Sequence, residues 1–252
     1  SGIGVVILRD DAGKGLLNVT NLGLNYSFNF DINRDWKLRP GLQAYYYIKA
    51  VDISSLLFGD QIVRSSNYDP GSTVEDINAE SIGHFDFSSS LLAYSDKFWF
   101  GFTVDHLMTL SPHLSATGDY IPLRVSVYGG GKYEIYGRTR RVKEENITGA
   151  FNLLIQDKYK YLDLGMYYVK APLIFGLWYR GLPVFPENRT LGALSLLVGY
   201  KINAYKIGYS YDFTTSRLIT QTGGAHEVSL IYSFGAKKRR LVKHKFVPCP
   251  IF

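Results

Sequence analysis

Polar and apolar side chains alternate along most of this chain with a period of two. From Leu22 one row reads Leu22, Leu24, Tyr26, Phe28, Phe30 and Ile32, while the intervening row reads Asn21, Gly23, Asn25, Ser27, Asn29 and Asp31. The pattern returns at Tyr205, with Tyr205, Ile207, Tyr209, Tyr211 and Phe213 set against Lys206, Gly208, Ser210 and Asp212. Successive side chains on a strand point to opposite faces, so each segment has one apolar and one polar face. Followed through the chain, the alternation predicts about twelve strands, with ends placed to within about two to four residues. They fall near 2–9, 16–32, 36–49, 83–95, 98–107, 120–136, 145–156, 160–170, 173–180, 190–201, 204–214 and 225–235.

The connections sort into two classes in succession. One class is tight: Asn33-Arg34-Asp35, Ser95-Asp96-Lys97, Ala171-Pro172 and Ile202-Asn203, with the basic turn 137–143 its longest member. The other is longer, at 10–15, 50–82, 108–119, 181–189 and 215–224, with 156–159 its one short exception. Short turns alternating with long loops mark outer-membrane barrels, whose turns are periplasmic and whose loops are extracellular. An even strand count then puts both termini in the periplasm.

Alternation alone does not say which face is inside, because a soluble lipocalin-like barrel buries its apolar row. Width decides. A barrel of about twelve strands is too wide to be filled by one layer of inward apolar side chains, so the apolar rows should face lipid and the polar rows a lumen. Gly23, Gly41, Gly101, Gly165, Gly176, Gly199 and Gly208 all fall on the inner row, which should leave room for a plug, a loop or water. Trp36, Tyr45, Tyr47, Trp99, Tyr120, Tyr159, Tyr161, Trp178 and Tyr205 lie near strand ends and resemble interfacial girdles. Every backbone amide in hydrocarbon needs a partner, so the first and last strands are expected to pair. The fold class expected is a monomeric, all-β, transmembrane antiparallel up-and-down β-barrel over 1–236, followed by a basic periplasmic tail over 237–252.

Composition narrows the class further. Aromatic residues are 15% of the 252, yet mean hydropathy is −0.05. No stretch reaches the roughly 18 apolar residues that a spanning helix needs. The single cysteine, Cys249, rules out an internal disulfide. The net charge of +6 is concentrated in the tail, at Lys237, Lys238, Arg239, Arg240, Lys243 and Lys245. Basic clusters at a membrane surface gain roughly 1 kcal/mol per side chain from anionic headgroups. The tail therefore fits contact with outer-membrane lipid or with a periplasmic partner, aided by Arg138, Arg140, Arg141 and Lys143. Nucleic acid fits neither the compartment nor the lack of a folded reader.

The long loop 50–82 carries Leu56, Leu57, Phe58, Asp60, Asp69, Pro70, Glu75, Asp76 and Glu80. Loops of this length are functional or disordered; here partner contact or folding into the lumen is the favoured reading. Its carboxylates lack the regular spacing of a calcium loop, so no metal and no cofactor are expected. No nucleophile elbow, phosphate loop or His-Glu-x-x-His is present, and Asp105 and His106 project to opposite faces of a strand, so no enzyme is expected.

The block Gly208-Tyr209-Ser210-Tyr211-Asp212-Phe213, then Ser216 and Gly224-Ala225-His226-Glu227-Val228, resembles the closing block of the PorP/SprF family, which usually has Gly-Ser-His-Glu where this chain has Gly224-Ala225-His226-Glu227. Gly2-Ile3-Gly4-Val5 with Asp10 and Asp11, Gly41-Leu42-Gln43-Ala44, Asp69-Pro70 and Cys249-Pro250-Ile251-Phe252 are also similar to family features. The resemblance implies a Bacteroidota outer-membrane protein of type IX secretion or gliding, without catalysis. It also implies action with the C-terminal domain of a secreted substrate, with a surface adhesin, or with periplasmic secretion or motility components. Family members open with an export signal and an upstream block rich in Asn, Pro, Ala and Tyr, so two further strands, giving about fourteen, are expected ahead of Ser1. A passive porin or small-solute transporter is the alternative function.

Overall fold

The computed structural model describes residues 1–12, 17–51, 80–108, 121–135, 145–183, 192–214, 223–234 and 247–248. Among them the alternating segments form thirteen strands and no helix. In order these are β1 (Gly2–Ala12), β2 (Leu17–Ser27), β3 (Phe30–Asp31), β4 (Lys37–Val51), β5 (Glu80–Tyr94), β6 (Phe98–Asp105) and β7 (Arg124–Glu134). There follow β8 (Glu145–Gln156), β9 (Tyr159–Lys170), β10 (Leu173–Pro183), β11 (Ala193–Ile202), β12 (Tyr205–Thr214) and β13 (Ala225–Tyr232). Each strand hydrogen-bonds to the next in sequence, apart from the two-residue β3, which pairs with β4 off the main path. The all-β, antiparallel up-and-down architecture expected from the alternation is the one found. The path begins at β1 and ends at β13, so the expected pairing of first and last strands is not among the described ladders. Among the described ladders each of these strands is paired on one side, and Ile3, Val5, Val228 and Leu230 are among the most exposed aliphatic side chains.

Two local features adjust the predicted strands. The segment expected at 16–32 splits into β2 and β3 because its partner strand offers Pro40, which has no N–H to donate; Phe28 N–H still donates to Pro40 O at 3.2 Å. The turn Asn33-Arg34-Asp35 closes as expected, with Asn33 Oδ1 accepting from the N–H groups of Asp35 and Trp36.

The chain divides into two compact units: Ser1–Ser27, Gly41–Ser89 and His106–Pro122 in the first, and Phe28–Pro40, Ser90–Asp105 and Leu123–Phe252 in the second. In the second unit the registers line up two kinds of row across successive strands. One runs Ile147, Tyr168, Phe175, Val198, Tyr209 and Val228. Its neighbour, on the opposite face, runs Thr148, Tyr167, Gly176, Leu197, Ser210 and Glu227. Phe175, Val198, Tyr209 and Val228 are exposed, whereas Thr148, Ser210 and Tyr167 are buried.

This is the reverse of a water-soluble protein. Among the described residues the buried apolar side chains are Tyr45, Tyr94, Trp99, Tyr167 and Ile174, and the buried polar ones, Asp86, Ser88, Ser95, Asn146, Thr148, Ser195 and Ser210, outnumber them. Water would penalise such a surface, since large contiguous apolar patches are rare on soluble monomers. Hydrocarbon favours it.

The inner glycines do not simply leave empty room, as the sequence suggested. In the ladders Trp99 sits opposite Gly130, Trp178 opposite Gly165 and Tyr167 opposite Gly176. A methyl on Gly165 would come within 2.2 Å of the Trp178 ring, and one on Gly130 within 2.3 Å of Trp99. The aromatic ring lies over its glycine neighbour and occupies the space that a side chain would take. Trp99 and Trp178 therefore belong to the inner face and not to an interfacial girdle, as does Tyr45, which is buried. Tyr159 and Tyr205 remain exposed at strand starts. Gly165→Ala is expected to lower unfolding stability in detergent by about 1–3 kcal/mol through overpacking, read as a shifted urea midpoint.

Candidate functional site

The polar face of β8–β13 in the second unit carries a cavity of about 390 Å³, lined among others by Asn152, Asp163, Trp178, Ser195, Ser210 and Glu227. Its upper wall is set by a β-bulge. Between Tyr179 and Leu182 the register of β10 against β9 shifts, and Gly181 takes φ +76°, a conformation that glycine adopts without steric cost. The bulge frees the Gly181 N–H from the ladder, and Asp163 Oδ1 accepts it at 2.8 Å. Asp163 Oδ2 accepts from Asn152 Nδ2 at 3.4 Å. Arg180, at the same bulge, reaches Asp212 on β12, with Nη1 at 2.8 Å from Oδ2. Ser210 donates to Glu227 Oε2 at 3.1 Å. Tyr167 and Trp178 meet edge to face, with ring centroids 5.9 Å apart. Trp178 Nε1 is buried and finds no acceptor among the described residues.

The first unit holds a second polar cluster. Asp86, 1% exposed on β5, accepts from Tyr45 Oη at 2.8 Å and from His106 Nδ1 at 2.7 Å, and its other oxygen accepts from the N–H groups of Phe87 at 2.7 Å and Met108 at 3.2 Å. A carboxylate has about four lone-pair sites. All are engaged, so Asp86 has none left to act as a base; it pins residues 106–108 to β5. His106, at φ +61°, turns out of the regular strand to make this contact.

The sequence reading set Asp105 and His106 aside as a dyad, and they do not form one: Asp105 pairs with Arg124 at 3.0 Å instead. What that reading missed is the Asp86 trio, whose members lie on three strands or their ends. His226 and Glu227 also part, His226 Nδ1 lying 2.7 Å from Tyr209 Oη on the outer face while Glu227 joins the cavity. Leu56, Leu57, Phe58, Asp60, Asp69, Pro70, Glu75 and Asp76, and the basic set Arg138, Arg140, Arg141, Lys237, Lys238, Arg239, Arg240, Lys243 and Lys245, lie outside the described residues. No group of three His, Cys, Asp or Glu able to hold a metal occurs among the described residues.

A polar inner face under an apolar face suited to lipid fits a membrane component. No curated protein matches the chain. The family described as type IX secretion system membrane protein PorP/SprF matches residues 1–232. That match spans all thirteen strands described above, so the chain belongs to the PorP/SprF family and is an outer-membrane component of the type IX secretion system.

Proposed function

We propose that this protein docks a secreted surface protein, of adhesin type, at the outer membrane, and does so as a monomeric transmembrane barrel. The observation that carries the reading is the polar cavity of the second unit, whose lining runs along the strands from Ser229, Leu197 and Ser210 to Arg180 near the end of β10. A docking site at the membrane needs recognition groups at the ends of strands, within reach of a partner outside the hydrocarbon. Arg180, Asp163 and Asp212 are such groups.

In this reading the longer connections, including 50–82 with Leu56, Phe58 and Asp69, are extracellular and share in the contact, and both termini are periplasmic. The tail with Lys237 to Lys245 then meets inner-leaflet phosphates or periplasmic components of the secretion machinery, since Lys and Arg clusters are drawn to anionic headgroups. The test is a pull-down of the full chain in mild detergent from its own cells, followed by mass identification. Docking predicts recovery of a secreted protein through its C-terminal domain. Bilayer conductance with small-solute selectivity, and no secreted protein recovered, would support a passive porin instead.

A further inference from the structure

The cavity on β8–β13 has an imbalance of charge. Arg180 is engaged with Asp212. Asp163 and Glu227 are bonded only to neutral donors, namely Asn152 Nδ2, the Gly181 N–H and Ser210 Oγ. Neither makes a salt bridge among the described residues, so two carboxylates face the cavity without a counter-ion.

One further group there lacks a partner among the described residues, and it asks for something besides a positive charge. Trp178 Nε1 is buried with no acceptor among the described residues. Ser195, 3% exposed, lines the cavity with it. A buried donor left unpaired costs about 1–3 kcal/mol, so a ligand that brings an acceptor restores what folding gave up. Beside these groups stand the rings of Tyr167 and Trp178, and a cation against an aromatic face is attracted to it.

We propose that this cavity binds a lysine or arginine side chain of an extended peptide, with a neighbouring peptide carbonyl accepting from Trp178 Nε1. A bare metal ion is disfavoured because no three-ligand cluster is present among the described residues. A free polyamine would satisfy the carboxylates but offers no carbonyl to Trp178. A neutral sugar would leave both charges uncompensated. The volume, about 390 Å³, lies within the range of roughly 300–1,000 Å³ typical of specific ligand sites. The inference rests on the docking reading and states which chemistry of the secreted protein is held.

The experiment titrates the full chain in detergent micelles with acetyl-Gly-Lys-Gly amide, with the glutamine counterpart and with a neutral trisaccharide. Trp178 emission is read as the difference from Trp178→Phe. A saturable response to the lysine peptide alone is expected, weakened roughly tenfold in Asp163→Asn and in Glu227→Gln. Each amide keeps an oxygen for the Gly181 N–H or for Ser210, and a flip of the Asn152 amide turns its oxygen toward the new NH2 group at 163. Equal response to the lysine and glutamine peptides, response to the trisaccharide instead, or unchanged affinity in both variants would overturn the proposal. The same variants separate it from docking itself. If wild type and the double variant retain the secreted protein equally, the cavity is not the contact and docking stands. If wild type captures no secreted protein yet binds the lysine peptide, docking falls and the cavity stands.

Discussion

Asp86→Ala is expected to destabilise the protein by about 3–5 kcal/mol, the range for removing one partner of a buried charged network. The reason lies in the number of groups it strands. The N–H groups of Phe87 and Met108 lose their acceptor at once, and Tyr45 Oη and His106 Nδ1 fall back on their mutual 3.3 Å contact. Asp86 is buried, so water does not readily replace it. Urea unfolding from detergent micelles, followed by tryptophan emission, measures the change. His106→Ala removes one donor and should cost less, about 1–3 kcal/mol. Equal losses for the two would mean that the carboxylate does not organise the cluster.

Val198→Arg is the second large effect, and it concerns the outer face. Val198 sits at the middle of β11, exposed, between Phe175 on β10 and Tyr209 on β12. On a lipid-facing surface at mid-depth an arginine costs about 2–4 kcal/mol. On the surface of a soluble protein the same change would stay within about 0.5 kcal/mol. Folding equilibrium into phospholipid vesicles from urea distinguishes the two ranges.

The strands were legible because the period of two is a direct image of the pleat. The row from Leu22 to Tyr26 became β2, and the row from Tyr205 to Phe213 became β12, each with its apolar members outward. The break after Ser27 escaped that reading because it depends on Pro40 in the facing strand, a cross-strand fact that no single row contains. The girdle assignment of Tyr45, Trp99 and Trp178 failed for a related reason. An aromatic near a strand end looks alike on either face until its ladder partner is known, and for both tryptophans that partner is a glycine with space above it.

The candidate site was less visible. Asn152, Asp163, Trp178, Ser195 and Glu227 come from five strands, and only the register sets them side by side. One signal was available beforehand. Asp163, Arg180, Asp212 and Glu227 all interrupt otherwise small or aromatic inner rows with charge, and charged groups on a membrane-enclosed face are costly unless paired or used. The Arg180 to Asp212 contact further depends on a bulge at Gly181, which alternation cannot register because a bulge is a departure from it.

Side-chain environment along one strand tests the inverted arrangement most directly. With Cys249 replaced by serine, single spin labels at positions 195, 196, 197 and 198 in lipid vesicles report collision with oxygen and with a water-soluble nickel chelate. Labels replacing Leu196 and Val198 should meet oxygen strongly and nickel weakly, and those replacing Ser195 and Leu197 should not share that preference. Nickel reaching 196 and 198 freely, with no alternation along the strand, would contradict a face of this sheet lying against lipid.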